Sequence, residues 1–146
     1  MGGQAYKGAG VLIRSPIGFL MQHRDDKPGV IYDPGMVSFF GGAMEPSDKS
    51  PRDAAFRELR EETSLEFAIG DLRQFIELSY AVTTVNDHKD RSEFFLFLLE
   101  TDATEFEVYE GQGIYVLQFD ASLGEHNLSP LADMALRAYL EKTKEG

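Results

Sequence analysis

The sequence predicts an α/β (α+β) fold in which a mixed β-sheet is sandwiched between helices, an α/β/α arrangement, and three features support this. Short apolar runs with strand chemistry open the chain and recur as far as Phe119. A capped helical stretch interrupts them near residue 50, and a second amphipathic stretch follows the last of them.

Taken in order, Tyr6–Arg14 and Ile17–His23 read as two strands joined by a turn at Ser15-Pro16. Arg24–Pro34 is polar and carries two prolines and Gly29, so it is expected to be a loop. Met36–Phe40 is a strand running into Gly41-Gly42, read as a glycine loop. Pro51–Thr63 is a helix. Ser50 is its N-cap, Pro51 occupies the first helical position, and Asp53 stands where it can close a capping box. Leu72–Val82 and Ser92–Leu99 form a strand pair around the polar turn Asn86-Asp87-His88-Lys89-Asp90, and Ile114–Phe119 is a further strand. Leu131, Met134, Ala135, Ala138 and Tyr139 then recur at helical spacing. No linker, repeat or low-complexity segment interrupts the pattern, so residues 1–146 are expected to form a single domain.

Composition narrows the chemistry. The chain has no cysteine, which excludes disulfides, thiol catalysis and Cys-based zinc sites. Its net charge of −11 argues against binding long nucleic acid, which requires a basic face. No apolar run approaches the ~20 residues of a membrane span, and no signal-peptide core precedes Tyr6, so a cytoplasmic protein is expected. Met1-Gly2-Gly3-Gln4 is not read as a myristoylation signal, because the Ser or Thr that such a signal needs is lacking.

The most informative stretch is Arg57-Glu58-Leu59-Arg60-Glu61-Glu62. At about 100° per residue, Glu58, Glu61 and Glu62 share about one third of the helix circumference, with Phe56, Leu59 and Thr63 opposite and Ala55 at the border. Like charges at i,i+4 oppose a helix by roughly 0.2–0.5 kcal/mol per pair. Negative charge toward the C-terminal half is unfavourable as well. A cation would relieve both costs, and all-oxygen ligands suit Mg²⁺ or Mn²⁺ rather than zinc. The alternative is a solvated acidic face.

Gly42, Asp48 and Arg57-Glu58-Leu59-Arg60-Glu61-Glu62-Thr63-Ser64-Leu65 resemble the Nudix box, G-x5-E-x7-R-E-U-x-E-E-x-G-U with U aliphatic, over Gly42–Leu65. Three positions depart from it. Asp48 replaces Glu, eight residues rather than seven separate it from Arg57, and Ser64 replaces the glycine that ends the helix. Serine there implies a different helix exit or about 1 kcal/mol of strain. The resemblance implies a Nudix-type, MutT-like hydrolase whose Glu58, Glu61 and Glu62, with a Gly41 carbonyl, hold divalent cations. It also implies that Arg57 orients these glutamates and that Gly42 and Asp48 support the box.

Outside the box, Glu110-Gly111-Gln112 resembles the E-G-Q element of MutT-like proteins, with Glu110 beside the metals as candidate base and Glu61 as the alternative. Glu105 and Glu107 make a plain acidic loop the competing reading. Arg24, ending a strand, lies where MutT-like proteins have an arginine that contacts substrate phosphate, for which a guanidinium fork is suited; an ordinary exposed arginine is the competing reading. Asp133 lies where such proteins place a base-contacting residue, although a helix-start acid is the simpler reading. Tyr80 reads as a packed strand aromatic, and His88 and His126 as surface-loop histidines.

These residues imply hydrolysis of a nucleoside diphosphate linked to another group, X. Cations neutralise the diphosphate, and water attacks one phosphorus in line as a carboxylate takes its proton. (d)NTPs, oxidised ones included, lead; NDP-sugars or ADP-ribose come second, and a non-catalytic nucleotide-sensing module is the reading from another class. An isoprenoid diphosphate isomerase, which the resemblance ties to a cysteine, is excluded. The expected partner is a small nucleotide; a homodimer is compatible with the sequence.

Overall fold

The computed structural model describes residues 6–27, 34–83 and 89–145. Strand β1 (Tyr6–Ser15) carries Ala9, Val11, Leu12 and Ile13, all fully buried, and such an apolar run fits a strand covered on both faces. It runs parallel to β6 (Lys89–Glu100), from Tyr6 opposite Ser92 to Arg14 opposite Glu100. Its other edge is shared by two antiparallel strands, β2 (Gly18–His23) at one end and β4 (Phe40–Ala43) at the other.

The path through the sheet is β3 (Val37–Ser38), β2, β1, β6 and β5 (Arg73–Thr83), with β4 beside β1 and β7 (Gly113–Leu117) beside β2. Parallel and antiparallel neighbours make the sheet mixed, as expected.

Alternation along the strands sends side chains to two faces, and each face is covered by a helix. On one face, Ala9, Val11, Ile13, Leu20, Phe40, Phe97 and Leu99 pack with Ala54, Ala55 and Leu59 of α1 (Pro51–Glu62). On the other, Leu12, Phe19, Met21, Phe39, Phe94, Leu96 and Leu117 pack with Ala132, Ala135, Leu136 and Tyr139 of α2 (Pro130–Glu145). These are the expected α/β/α layers. Among the described residues no helix is long and apolar enough to cross a membrane.

Two readings of the sequence need correction. Gly41 and Gly42 do not form a loop; they lie in β4, opposite Gly10 and Ala9. Gly41 has φ +156°, and a Cβ there would come within 2.5 Å of the Ala9 carbonyl oxygen, so the pair marks a close strand approach rather than a turn. The run Met36–Phe40 is likewise not one strand. It breaks at Phe39, where the chain leaves β2 and joins β1.

The expected turn is shorter, since Lys89 and Asp90 belong to β6. Asn86, Asp87 and His88 lie outside the described residues. Two 3₁₀ turns, Ile69–Asp71 and Leu123–Glu125, are too short to leave a periodic signal.

Candidate active site

Helix α1 begins as its sequence dictates, with the Ser50 hydroxyl accepting the Asp53 N–H at 3.1 Å and Pro51 at N1. From that start Ala55, Leu59 and Glu62 fall at i, i+4 and i+7, on one stripe. Glu62 is therefore not part of a solvent-facing trio: it is 3 % exposed, whereas Glu61 is exposed and Glu58 partly buried. The acidic patch wraps from solvent into the core.

Glu62 is held from β2. Its Oε2 accepts the Gln22 side-chain amide at 3.0 Å, while its Oε1 is buried with no hydrogen-bond partner among the described residues. Burial, then the charges of Glu58 and Glu110, push its pKa up to about 8, against the opposing pull of the Gly41 N–H and the Gln22 amide. Glu58 is raised too, mainly by burial; Arg57 opposes this, and Glu61 and Glu110 add to it. Gly42 makes room for it, because a Cβ on Gly42 would meet the Glu58 carboxylate at 2.8 Å.

Arg57 is the counter-ion of the cluster. Its Nε and Nη2 donate to the two oxygens of Asp48 at 3.0 and 2.8 Å, a bidentate pair. Its Nη1 reaches Glu58 at 3.2 Å and Glu61 at 3.1 Å, and Nη2 also donates to the Ala43 carbonyl. Asp48 is fixed in turn by the Glu45 N–H at 2.8 Å, and these hydrogen bonds hold its carboxyl below the usual carboxylate range. The shorter acid and the longer loop thus still deliver a carboxylate to Arg57.

Ser64 has a role of its own. The helix ends in an extended Thr63, whose N–H and hydroxyl both return to the Leu59 carbonyl. Ser64 then exchanges two hydrogen bonds with Glu107: its N–H donates to the Glu107 carbonyl, and its hydroxyl accepts the Glu107 N–H. Tyr109 N–H donates to the Glu62 carbonyl. The chain leaving the acidic helix is thereby stitched to the segment that carries Glu110, whose charge reaches both Glu58 and Glu62.

Gln112 binds the end of β2, its backbone N–H donating to the His23 carbonyl and its side chain to the Arg24 carbonyl. The two elements singled out beyond the box, residues 110–112 and His23-Arg24, are therefore neighbours. Asp133 accepts Arg137 at 2.9 Å within α2, as a helix-start acid would. His126 is not a plain surface histidine, since it is partly buried and its Nδ1 shares a 2.7 Å hydrogen bond with the Tyr115 hydroxyl. The Tyr80 backbone lies in β5, and its side chain falls outside the described residues.

Sequence reading missed Gln22. It sits in an apolar strand run, where one polar residue gave the only signal, and it is 3 % exposed.

Among the described residues no three acidic or imidazole side chains stand close enough to form a ready coordination shell. The donor chemistry nonetheless fits a hard divalent cation. Glu58, Glu61 and Glu62 are oxygen donors, Glu62 Oε1 is buried without a partner among the described residues, and burial, with repulsion between the acids added to it, raises Glu58 and Glu62.

A family model described as NUDIX domain matches residues 6–121. Among solved structures, the MutT protein from Methanosarcina mazei Go1 is 21% identical with a TM-score of 0.72, over 97% of this chain and 98% of that one. The NUDIX domain of NrtR from Shewanella oneidensis, complexed with ADP ribose, is 11% identical with a TM-score of 0.73, over 97% and 90%. A bifunctional NMN adenylyltransferase/ADP ribose pyrophosphatase from Francisella tularensis, complexed with AMP and a Mn ion, is 16% identical with a TM-score of 0.68. The match covers 95% of this chain but spans only 42% of that one. No curated protein matches.

Proposed function

The chain belongs to the NUDIX family and is a hydrolase of phosphoric anhydride bonds, and on that premise we propose that it cleaves a nucleoside diphosphate linked to another group, X, with Mg²⁺ or Mn²⁺. The observation that carries the reading is the buried, unpartnered Oε1 of Glu62 beside Glu58 and Glu110. A carboxylate in that position is costly unless a cation or a proton compensates it.

Glu58, Glu61 and Glu62, with the Gly41 carbonyl, would hold the cation, which when bound supplies positive charge against the crowded diphosphate oxygens. Glu110 takes the proton from attacking water, and Glu61 is the alternative base. Arg57, anchored on Asp48, keeps Glu58 and Glu61 in place. Arg24, at the end of β2 and tied through its carbonyl to Gln112, contacts a substrate phosphate. The Arg137 contact of Asp133 favours a helix-supporting role over a base contact.

For X we favour the (d)NTP class, oxidised forms included, on the Glu110-Gly111-Gln112 element. ADP-ribose is the second reading, supported by the ADP ribose bound in one structural relative. The test is product analysis of a panel of dNTPs, oxidised dGTP, ADP-ribose, NDP-sugars and dinucleoside polyphosphates with Mg²⁺. One dominant substrate, cleaved only with metal, is expected. Full turnover in excess EDTA would sink the metal-dependent reading. Binding without cleavage would leave a nucleotide-sensing module. Glu61→Gln should remove most turnover while the fold persists, and activity within threefold of the parent would reject the carboxylate roles.

A further inference from the structure

We propose that Gln22, which lies outside the resembled motif, is a positioning residue for two of the site's acids at once. The inference rests on the hydrolase reading above and goes beyond it by adding a residue from a different element.

The side-chain amide of Gln22 has two N–H donors, and both are used. One reaches Glu62 Oε2 at 3.0 Å and the other the Glu110 carbonyl at 2.9 Å. The first bond occupies one oxygen of Glu62 and leaves Oε1, buried and unpartnered, as the atom available to a cation. A carboxylate free to rotate would present either oxygen; tied at Oε2, it presents one.

The second bond fixes the backbone from which the Glu110 side chain extends. Tyr109 N–H on Glu62 and Gln112 N–H on His23 hold the same segment on either side, so Gln22 closes the gap between two anchors. Gln22 itself is buried in β2, where its hydrogen bonds are shielded from competition with solvent. The spacing between the buried oxygen and the candidate base is therefore set in part by Gln22, the side chain that bonds both Glu62 and the Glu110 backbone. Such outer-shell partners of ligating carboxylates orient them, and their loss typically costs about 10- to 100-fold in metal affinity or activity.

The test compares the full-length parent with Gln22→Met, which keeps the length of the side chain and removes both donors, and with Gln22→Asn. The second substitution keeps the amide on a stem one methylene shorter, so it can hold at most one partner. Mn²⁺ binding is measured by calorimetry, and kcat and KM are measured separately on the preferred nucleotide. The Met variant is expected to bind Mn²⁺ at least about tenfold more weakly and to lose kcat with little change in KM. The Asn variant should fall between it and the parent. Mn²⁺ affinity and kcat within threefold of an active parent in the folded Met variant would overturn the role of Gln22 and leave the hydrolase reading standing. A loss confined to KM would overturn it too, because that places Gln22 in substrate binding. A parent that neither binds Mn²⁺ nor turns over would reject the hydrolase reading, and the Gln22 role with it. If the Met variant fails to fold, the Asn variant decides the question by the same thresholds.

Discussion

Glu62 has its ordinary carboxylate pKa of 4.5 pushed up to about 8 in the folded chain, chiefly by burial. Between those values the folded state keeps a proton that the unfolded state has released, so the metal-free fold loses stability as pH rises through that window. Glu58 is shifted in the same direction, whereas the lowered Asp48 acts only at more acid pH. In EDTA the melting temperature should therefore fall from mildly acid to mildly alkaline pH, and Glu62→Gln should flatten much of that slope. Mn²⁺ should recover stability most at the alkaline end, where the acids are charged and the cation can bind. Melts monitored by circular dichroism check this; an unchanged slope in the Gln variant would count against Glu62 as the source. Arg57 offers a second residue-scale test. A lysine cannot span Asp48 bidentately while also reaching Glu58, Glu61 and the Ala43 carbonyl. Arg57→Lys should lower kcat by about 10- to 100-fold, and steady-state kinetics within threefold of the parent would show that charge alone suffices.

The element that assembles the site is the exit of α1. An extended Thr63 and the Ser64–Glu107 hydrogen bonds bring residues 107–110 against the helix end that carries Glu62. Ser64→Gly, which restores the glycine of the resembled box, removes the acceptor of the Glu107 N–H and adds backbone freedom. Urea unfolding should show a loss of about 0.5–1.5 kcal/mol, and kcat should fall severalfold as Glu110 loosens. Equal or greater stability in the Gly variant would mean that the serine exit is incidental. This exit was half-legible in the sequence. Serine in place of glycine predicted a departure from a left-handed cap, but the partner lies 43 residues away in sequence and no local pattern names it. The glycine pair failed for a related reason. Gly-Gly signals a turn as readily as a strand, and only the closeness of Ala9 and Gly10 across the sheet selects the strand.

At the scale of the whole molecule, the family match ends at residue 121, yet the second face of the sheet is covered by α2, beyond that limit. Ala132, Ala135, Leu136 and Tyr139 shield Leu12, Phe19, Met21, Leu96 and Leu117. A chain ending at Ser129 would expose that apolar face, and large-to-small losses of this kind cost several kcal/mol even for single side chains. We expect no cooperative melt from the truncated chain; a cooperative transition within a few degrees of the parent would show that α1 and the sheet suffice.

The sequence by itself determined the layers, the capped acidic helix and which acids are candidates for the site. Strand and helix periodicity, caps and a spaced motif are local properties, written within a few turns of chain. Tertiary structure alone decided which of those acids is buried, that Gln22 clamps Glu62 and the Glu110 backbone, and that Asp48 and Arg57 pair across the loop. The reason is physical: burial and hydrogen-bond partners depend on which elements pack together, so the ionisation of a carboxylate is set by neighbours that are remote in sequence.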